Sequence, residues 1–240
     1  MMSAVLALTK TQLRVFLREP LAVFFGLVFP TALLIVIGLA YPGASNPEPE
    51  VYASTTVVLG LTTMAVFLLP VALGGDRERG ILRRLATTPS HPRSLVAAHL
   101  IVQLVVVTVA TIGAVLVGKL AFDISLPLNP AWFVVSFALG ACSLLALGLL
   151  IGSLASTAST GQGMGMLLYF PLQFFAGVYI PLEVMPDTIG TISRYTPAGA
   201  AVESLADSWM ATGPEASSLL VMAAYAAVAG LLAVRFFRWQ

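Results

Sequence analysis

The chain has 240 residues, 58% hydrophobic and 10% charged, with a formal net charge of +1. Soluble domains keep about a quarter of their residues charged, so this composition points to a polytopic membrane protein with almost no chain left for a soluble domain. Basic residues spread along the chain argue against a nucleic-acid partner, and a lone cysteine, Cys142, leaves neither a disulfide framework nor a Cys-based zinc site.

Residues 3–19 read as an amphipathic helix lying in the membrane interface. Lys10, Arg14 and Arg18 recur every four residues on one face, with Leu6, Leu13, Phe16 and Leu17 placed opposite. A positive flank that orients the first span accounts for the same charges. Six apolar runs follow, at about 21–41, 51–74, 95–118, 131–155, 163–182 and 217–234, each near the ~20 residues that cross a ~30 Å hydrocarbon core. The first run is too long for the apolar part of a cleaved leader. The expected fold is an all-α polytopic membrane protein with six transmembrane helices in one domain.

An even number of spans puts both termini on one side. Assigning them to the cytoplasm places 10 of the 12 basic residues inside and 8 of the 11 acids outside, the asymmetry that orients membrane proteins. The first two outer links are short. The third, 181–214, alternates small apolar clusters with single charges and prolines. Residues 183–215 are therefore expected as short helices dipping back into the outer leaflet, with a hairpin resting on the surface as the alternative.

Pro30, Pro70 and Pro171 fall inside spans, where each removes a backbone donor and bends its helix. Gln173, beside Pro171, reads either as facing a lumen or as a helix contact. Gly148 and Gly152, with Gly161, Gly163 and Gly165, put small residues where helices can approach closely.

No phosphate-loop, HExxH or GxSxG motif occurs in the chain, so it is not expected to hydrolyse ATP itself, and no metal site is expected. His91 and His99 are the only histidines; His99 is expected to face a neighbouring helix. Every Asp, Glu, Lys and Arg falls at a span end or in a link, which counts against ion-coupled transport.

The segment 74–95 carries seven charged side chains between two apolar runs. Ile81, Leu82 and Leu85 share one helical face, and Asp76, Arg77, Arg79, Arg83 and Arg84 cover the rest. That pattern predicts a short amphipathic cytoplasmic helix over 76–88, ended by Thr88-Pro89. Asp76 and Glu78 among five arginines exceed what orientation requires, so a protein partner explains the mixture; a loop anchored by arginines is the plainer reading.

The run DRERGILRRLATTP resembles the cytoplasmic coupling segment of ABC-2 type exporter permeases, with Glu78, Gly80, Leu82, Leu85, Thr88 and Pro89 at the matching positions. Residues 171–205 are similar to the family's fifth span and the re-entrant outer helices after it, with Pro171, Phe175, Gly177, Pro181, Pro186 and Pro197 in place. Many members carry an acid after the Gly-x-Leu and a Lys early in the third span, where this chain has Arg83 and His99.

The resemblance implies a multi-pass permease subunit of the cell membrane that pairs with a second copy. It would bind two copies of a separate ATPase, which holds the ATP and Mg. The coupling residues would be Asp76, Arg77, Glu78, Arg79, Gly80, Leu82, Arg83, Leu85, Thr88 and Pro89. A path between the copies, beside the second and fifth spans, would be lined by Met64, Phe67, Tyr169, Gln173 and Phe174, for which packed or lipid-facing positions are the alternative. Likeness to small drug-resistance permeases implies export of a hydrophobic or amphiphilic small molecule or lipid; a polysaccharide exporter and a non-transporting scaffold are the other readings.

Overall fold

The computed structural model describes residues 2–40, 49–81, 84, 92–210 and 213–237, and among these the regular structure is entirely helical. Helix α1 (Met2–Arg18) precedes α2 (Pro20–Leu39) and α3 (Pro49–Glu78). Then come α4 (Pro92–Phe122), α5 (Pro130–Leu154) and α6 (Ala158–Phe175). A 3-10 turn at Leu182–Val184 leads to α7 (Asp187–Arg194), α8 (Pro197–Asp207) and α9 (Ala216–Phe236). Five of these helices begin on proline, whose fixed φ suits a first turn and whose missing N–H is not needed there.

Among the described helices, α2, α3, α4, α5 and α9 are long and apolar enough to cross a membrane. The expected fifth span, 163–182, is instead the 18-residue α6, which starts at Ala158 and stops at Phe175. Gly177, at φ +78°, turns the chain out of the helix. At about 1.5 Å per residue, α6 is roughly 27 Å long.

Prolines shape α2 and α3 in the same way. A proline ring clashes with the carbonyl four residues back and donates no hydrogen bond. Ahead of Pro30 the helix widens into a π-helical turn at Phe24–Val28, and ahead of Pro70 into another at Thr63–Leu68.

Helix α3 is the central post, with 78% of its apolar window buried against 22% for α2 and for α9. Glycines let its neighbours in. A β-carbon on Gly148 of α5 would collide with the Ala65 carbonyl oxygen, and one on Gly161 of α6 with that of Pro70. Gly152 and Gly165 also press on α3, whereas Gly163 faces open space. Val58, Leu61, Leu144, Val202 and Met222 fill the space between.

Helix α8 is buried along nearly its whole length and packs on α3, α5 and α9 rather than lying free on the surface. Ser136 donates to the Ser204 carbonyl (3.1 Å), and the two hydroxyls lie 2.6 Å apart. Trp209 Nε1 donates to the Ser125 carbonyl at 2.6 Å, tying the end of this hairpin to the α4–α5 link.

Two sequence expectations change. On α1, Leu13 and Phe16 pack inward, but Leu6 and Leu17 are 73% and 58% exposed. Leu6 lies one turn before Lys10, so the helical repeat puts it on the charged side. The helix that carries the second span runs past Gly74 to Glu78, so the helix expected over 76–88 does not start afresh at Asp76, and Gly80, at φ +68°, follows its end. Beyond it, the Arg84 N–H donates to the Gly80 carbonyl at 3.1 Å.

Candidate functional site

The candidate site is the charged end of α3. Three consecutive residues there, Asp76, Arg77 and Glu78, reach α4, the end of α5, the residue after α9 and the start of α6. Asp76 is 4% exposed, and its Oδ2 lies 2.7 Å from His99 Nε2 on α4. Arg79, mostly exposed, donates to Asp76 Oδ1 at 3.4 Å and to the Gly75 carbonyl at 3.2 Å.

Arg77 and Glu78 work as a pair. Nη1 of Arg77 donates to the carbonyls of Gly152, at 3.1 Å, and of Ala155, at the C-terminal end of α5. Its guanidinium also sits 5.4 Å from the ring centroid of Phe237, just past α9. Glu78 Oε2 accepts from the Ala158 N–H at 3.1 Å, the first residue of α6. A helix ends on unpaired carbonyls and starts on unpaired N–H groups, with matching partial charges. A cation therefore caps the end of α5 and a carboxylate the start of α6, and the turn between them is clasped from α3. Thr157 completes the cap, its Oγ1 accepting from Thr160 N–H at 3.1 Å.

Asp76, Arg77 and Glu78 thus have partners within the chain, and Arg79 leans on Asp76. Gly80 is the break that releases the chain toward 81–91. Leu82, Arg83, Leu85, Thr88 and Pro89 lie outside the described residues, as does His91. On α1, Lys10, Arg14 and Arg18 lie on the exposed side of the helix.

The residues expected along a path separate into groups. Phe67 and Tyr169 meet, with ring centroids 5.9 Å apart, and the Tyr169 hydroxyl is 3.0 Å from Thr63 Oγ1. Gln173 is fully buried, with neither amide atom hydrogen-bonded. Phe174 packs on Phe175 at 5.4 Å. Met64 is 1% exposed and points elsewhere, into a cavity beside α1.

Sequence reasoning missed the partners of Asp76, Arg77 and Glu78. For Asp76 a signal existed: an acid near the end of one span and a base near the start of the next, His99, face each other when consecutive spans run antiparallel. The partners of Arg77 and Glu78 are backbone groups, which carry no residue-type signal.

The long apolar helices of this bundle are those of a multi-pass membrane protein. The ABC-2 type transporter family matches residues 3–209, and the chain belongs to that family. It is similar to "Putative transport permease YvfS" of Bacillus subtilis (strain 168), 27% identical over 189 residues, which cover 76% of each chain. It also resembles "Inner membrane transport permease YhhJ" of Escherichia coli (strain K12), 25% identical over 154 residues, or 63% of this chain and 41% of that protein.

Proposed function

We propose that the chain is the membrane subunit of an ATP-driven exporter, moving a hydrophobic or amphiphilic substrate out of the cytoplasm or inner leaflet. A separate ATPase, in two copies, would bind ATP and Mg and dock on the segment that begins at Gly80. Both termini would be cytoplasmic, with α6 and the residues after it forming a sixth crossing and α7–α8 dipping in from the outside. A second copy of the chain would complete the path. The face of α6 carrying Met166, Leu167 and Phe170, all exposed, is where it would pack.

The observation that carries this reading is the clasp. A push on the segment after Gly80 acts on the end of α3, and through Arg77 and Glu78 on the junction of α5 and α6. A soluble motor could then move three helices through one contact. The test is purification of the tagged chain from its native membrane in mild detergent. A stoichiometric partner bearing a phosphate loop is expected to co-elute, and a Gly-Ser replacement of residues 82–89 is expected to release it without loss of membrane insertion. Elution without any ATPase, from a chain with an intact fold, overturns the reading.

A further inference from the structure

Beside the clasp, α1, α3 and α4 enclose a cavity of about 630 Å³, within the range of small-molecule sites. It belongs to a single copy of the chain and is separate from the Phe67–Tyr169 contact. One side is apolar, walled by Phe16, Met64, Leu68 and Val102. The other is lined by Glu19, Asp76 and Glu78 against one cation, Arg79, a formal charge of −2 with His99 neutral. Two of these carboxylates are already engaged, Asp76 with His99 and Arg79, and Glu78 with the Ala158 N–H. What they lend the cavity is a negative field, which disfavours an anionic ligand.

Gln103 decides what the ligand must offer. It is 6% exposed, lies one turn beyond His99 on α4, and lines the cavity. Its Oε1 is covered by protein, so the amide Nε2 is the atom presented to the cavity. No group among the described residues accepts from that Nε2. A nearly buried donor without a partner in the protein suits a ligand that brings an acceptor. The apolar wall beside it suits an aliphatic tail.

We propose that this cavity binds an acyl amphiphile without net charge, a carbonyl oxygen of which accepts from Gln103 Nε2 while its tail lies against Phe16 and Met64. The lack of charge follows from the acidic lining, and the acceptor from the unpaired donor. Such a carbonyl is offered both by a diffusible neutral amphiphile, such as a monoacylglycerol, and by the ester linkage of a zwitterionic membrane lipid. The site does not depend on the ATP-driven reading, because it is complete in one copy without an ATPase.

The test uses the purified full-length chain in nanodiscs of ether-linked phosphatidylcholine, which carries no carbonyl, with monomyristin bearing a diazirine in its tail as the photoprobe. Labelling is expected on the peptides that carry Phe16, Met64 and Val102. Unlabelled monomyristin is expected to displace the probe. At the same mole fraction, tetradecane, which has the tail but no acceptor, and tetradecyl sulfate, which is charged, are expected not to. Gln103→Leu is expected to weaken binding about tenfold, equivalent to about 1.4 kcal/mol. Because it removes the covered, unpaired oxygen along with the donor, its unfolding temperature is expected not to fall. The competitor series is read on the wild-type chain and needs no variant to fold. Equal displacement by tetradecane, labelling confined to other faces, or wild-type affinity in Gln103→Leu overturns the proposal. Adding ester-linked phosphatidylcholine then separates the sources: lost labelling assigns the site to the lipid ester, and retained labelling assigns it to a diffusible amphiphile. Because no transport is measured, failure here leaves the exporter reading standing, and failure of that reading leaves this one.

Discussion

The two ends of α3 are held by different chemistry. At the Asp76–Arg79 end, charged side chains reach across to other helices and cap them. At the other end, contacts are made by hydroxyls and small residues: Thr55 donates to the Ala176 carbonyl at 3.3 Å, and the alanine-rich α8 packs on α3 while the Ser136–Ser204 pair ties it to α5. Charge-assisted hydrogen bonds are roughly twice as strong as neutral ones. The charged end is therefore the one built to bear force, while the hydroxyl end is built for close fit.

Breaking that comparison starts with what both ends share, the seating of α5 and α6 on α3. Gly148→Leu drives a side chain into the Ala65 carbonyl and is expected to be the most damaging change. It should cost about 3 kcal/mol or more and abolish a monodisperse elution peak in detergent. Next comes Arg77→Met, which uncaps the carbonyls of Gly152 and Ala155. A loss of about 2–3 kcal/mol should appear as a lowered unfolding temperature, nearly unchanged by added salt because the pair is partly shielded from solvent.

Glu78→Arg places a cation at the start of α6, where Glu78 now accepts from Ala158. About 1–2 kcal/mol is expected from the lost cap and the reversed dipole interaction, with hydrogen exchange quickening at the first turn of α6. If the hydroxyl end is the weaker, Ser136→Ala should cost only about 1 kcal/mol; a larger loss than for Arg77→Met would reverse the comparison. The smallest effect belongs to Lys119, 2.6 Å from Asp123 in the α4–α5 link. Its hydrogen bond and charge hold the Asp123 carboxyl below its ordinary value, so the contribution is present above that value and fades as pH falls through the lowered one. The pair is open to solvent, and Lys119→Met should leave the unfolding temperature unchanged while raising the Asp123 titration midpoint followed by NMR.

Much of the architecture is legible in the residues themselves. The apolar runs mark α2 to α5 and α9, because length and hydropathy are local properties. Gly148, Gly152, Gly161 and Gly165 can be read as contact points, because only glycine lets two backbones touch. The end of α3 is harder. The charges of 76–79 look like a surface helix by their pattern, and nothing in the sequence says that the carbonyls of Gly152 and Ala155 lie within reach. The outward turn of Leu6 and Leu17 was available from the helical repeat itself. Burial of α8 is half legible: its alanines exclude an ordinary solvated loop, but their partners on α3, α5 and α9 come from distant parts of the chain.

The widened turn at Thr63–Leu68 has one more residue than an ordinary helical turn. Everything after it on α3 is therefore rotated by about 100° relative to an unbroken helix. The clasp depends on that phase offset. Deleting a single residue from this turn would let it close as an ordinary helical turn with Asp76, Arg77 and Glu78 on their present bearings, whereas closing it with every residue kept would turn Asp76 toward the carbonyls of α5 and Arg77 toward the start of α6.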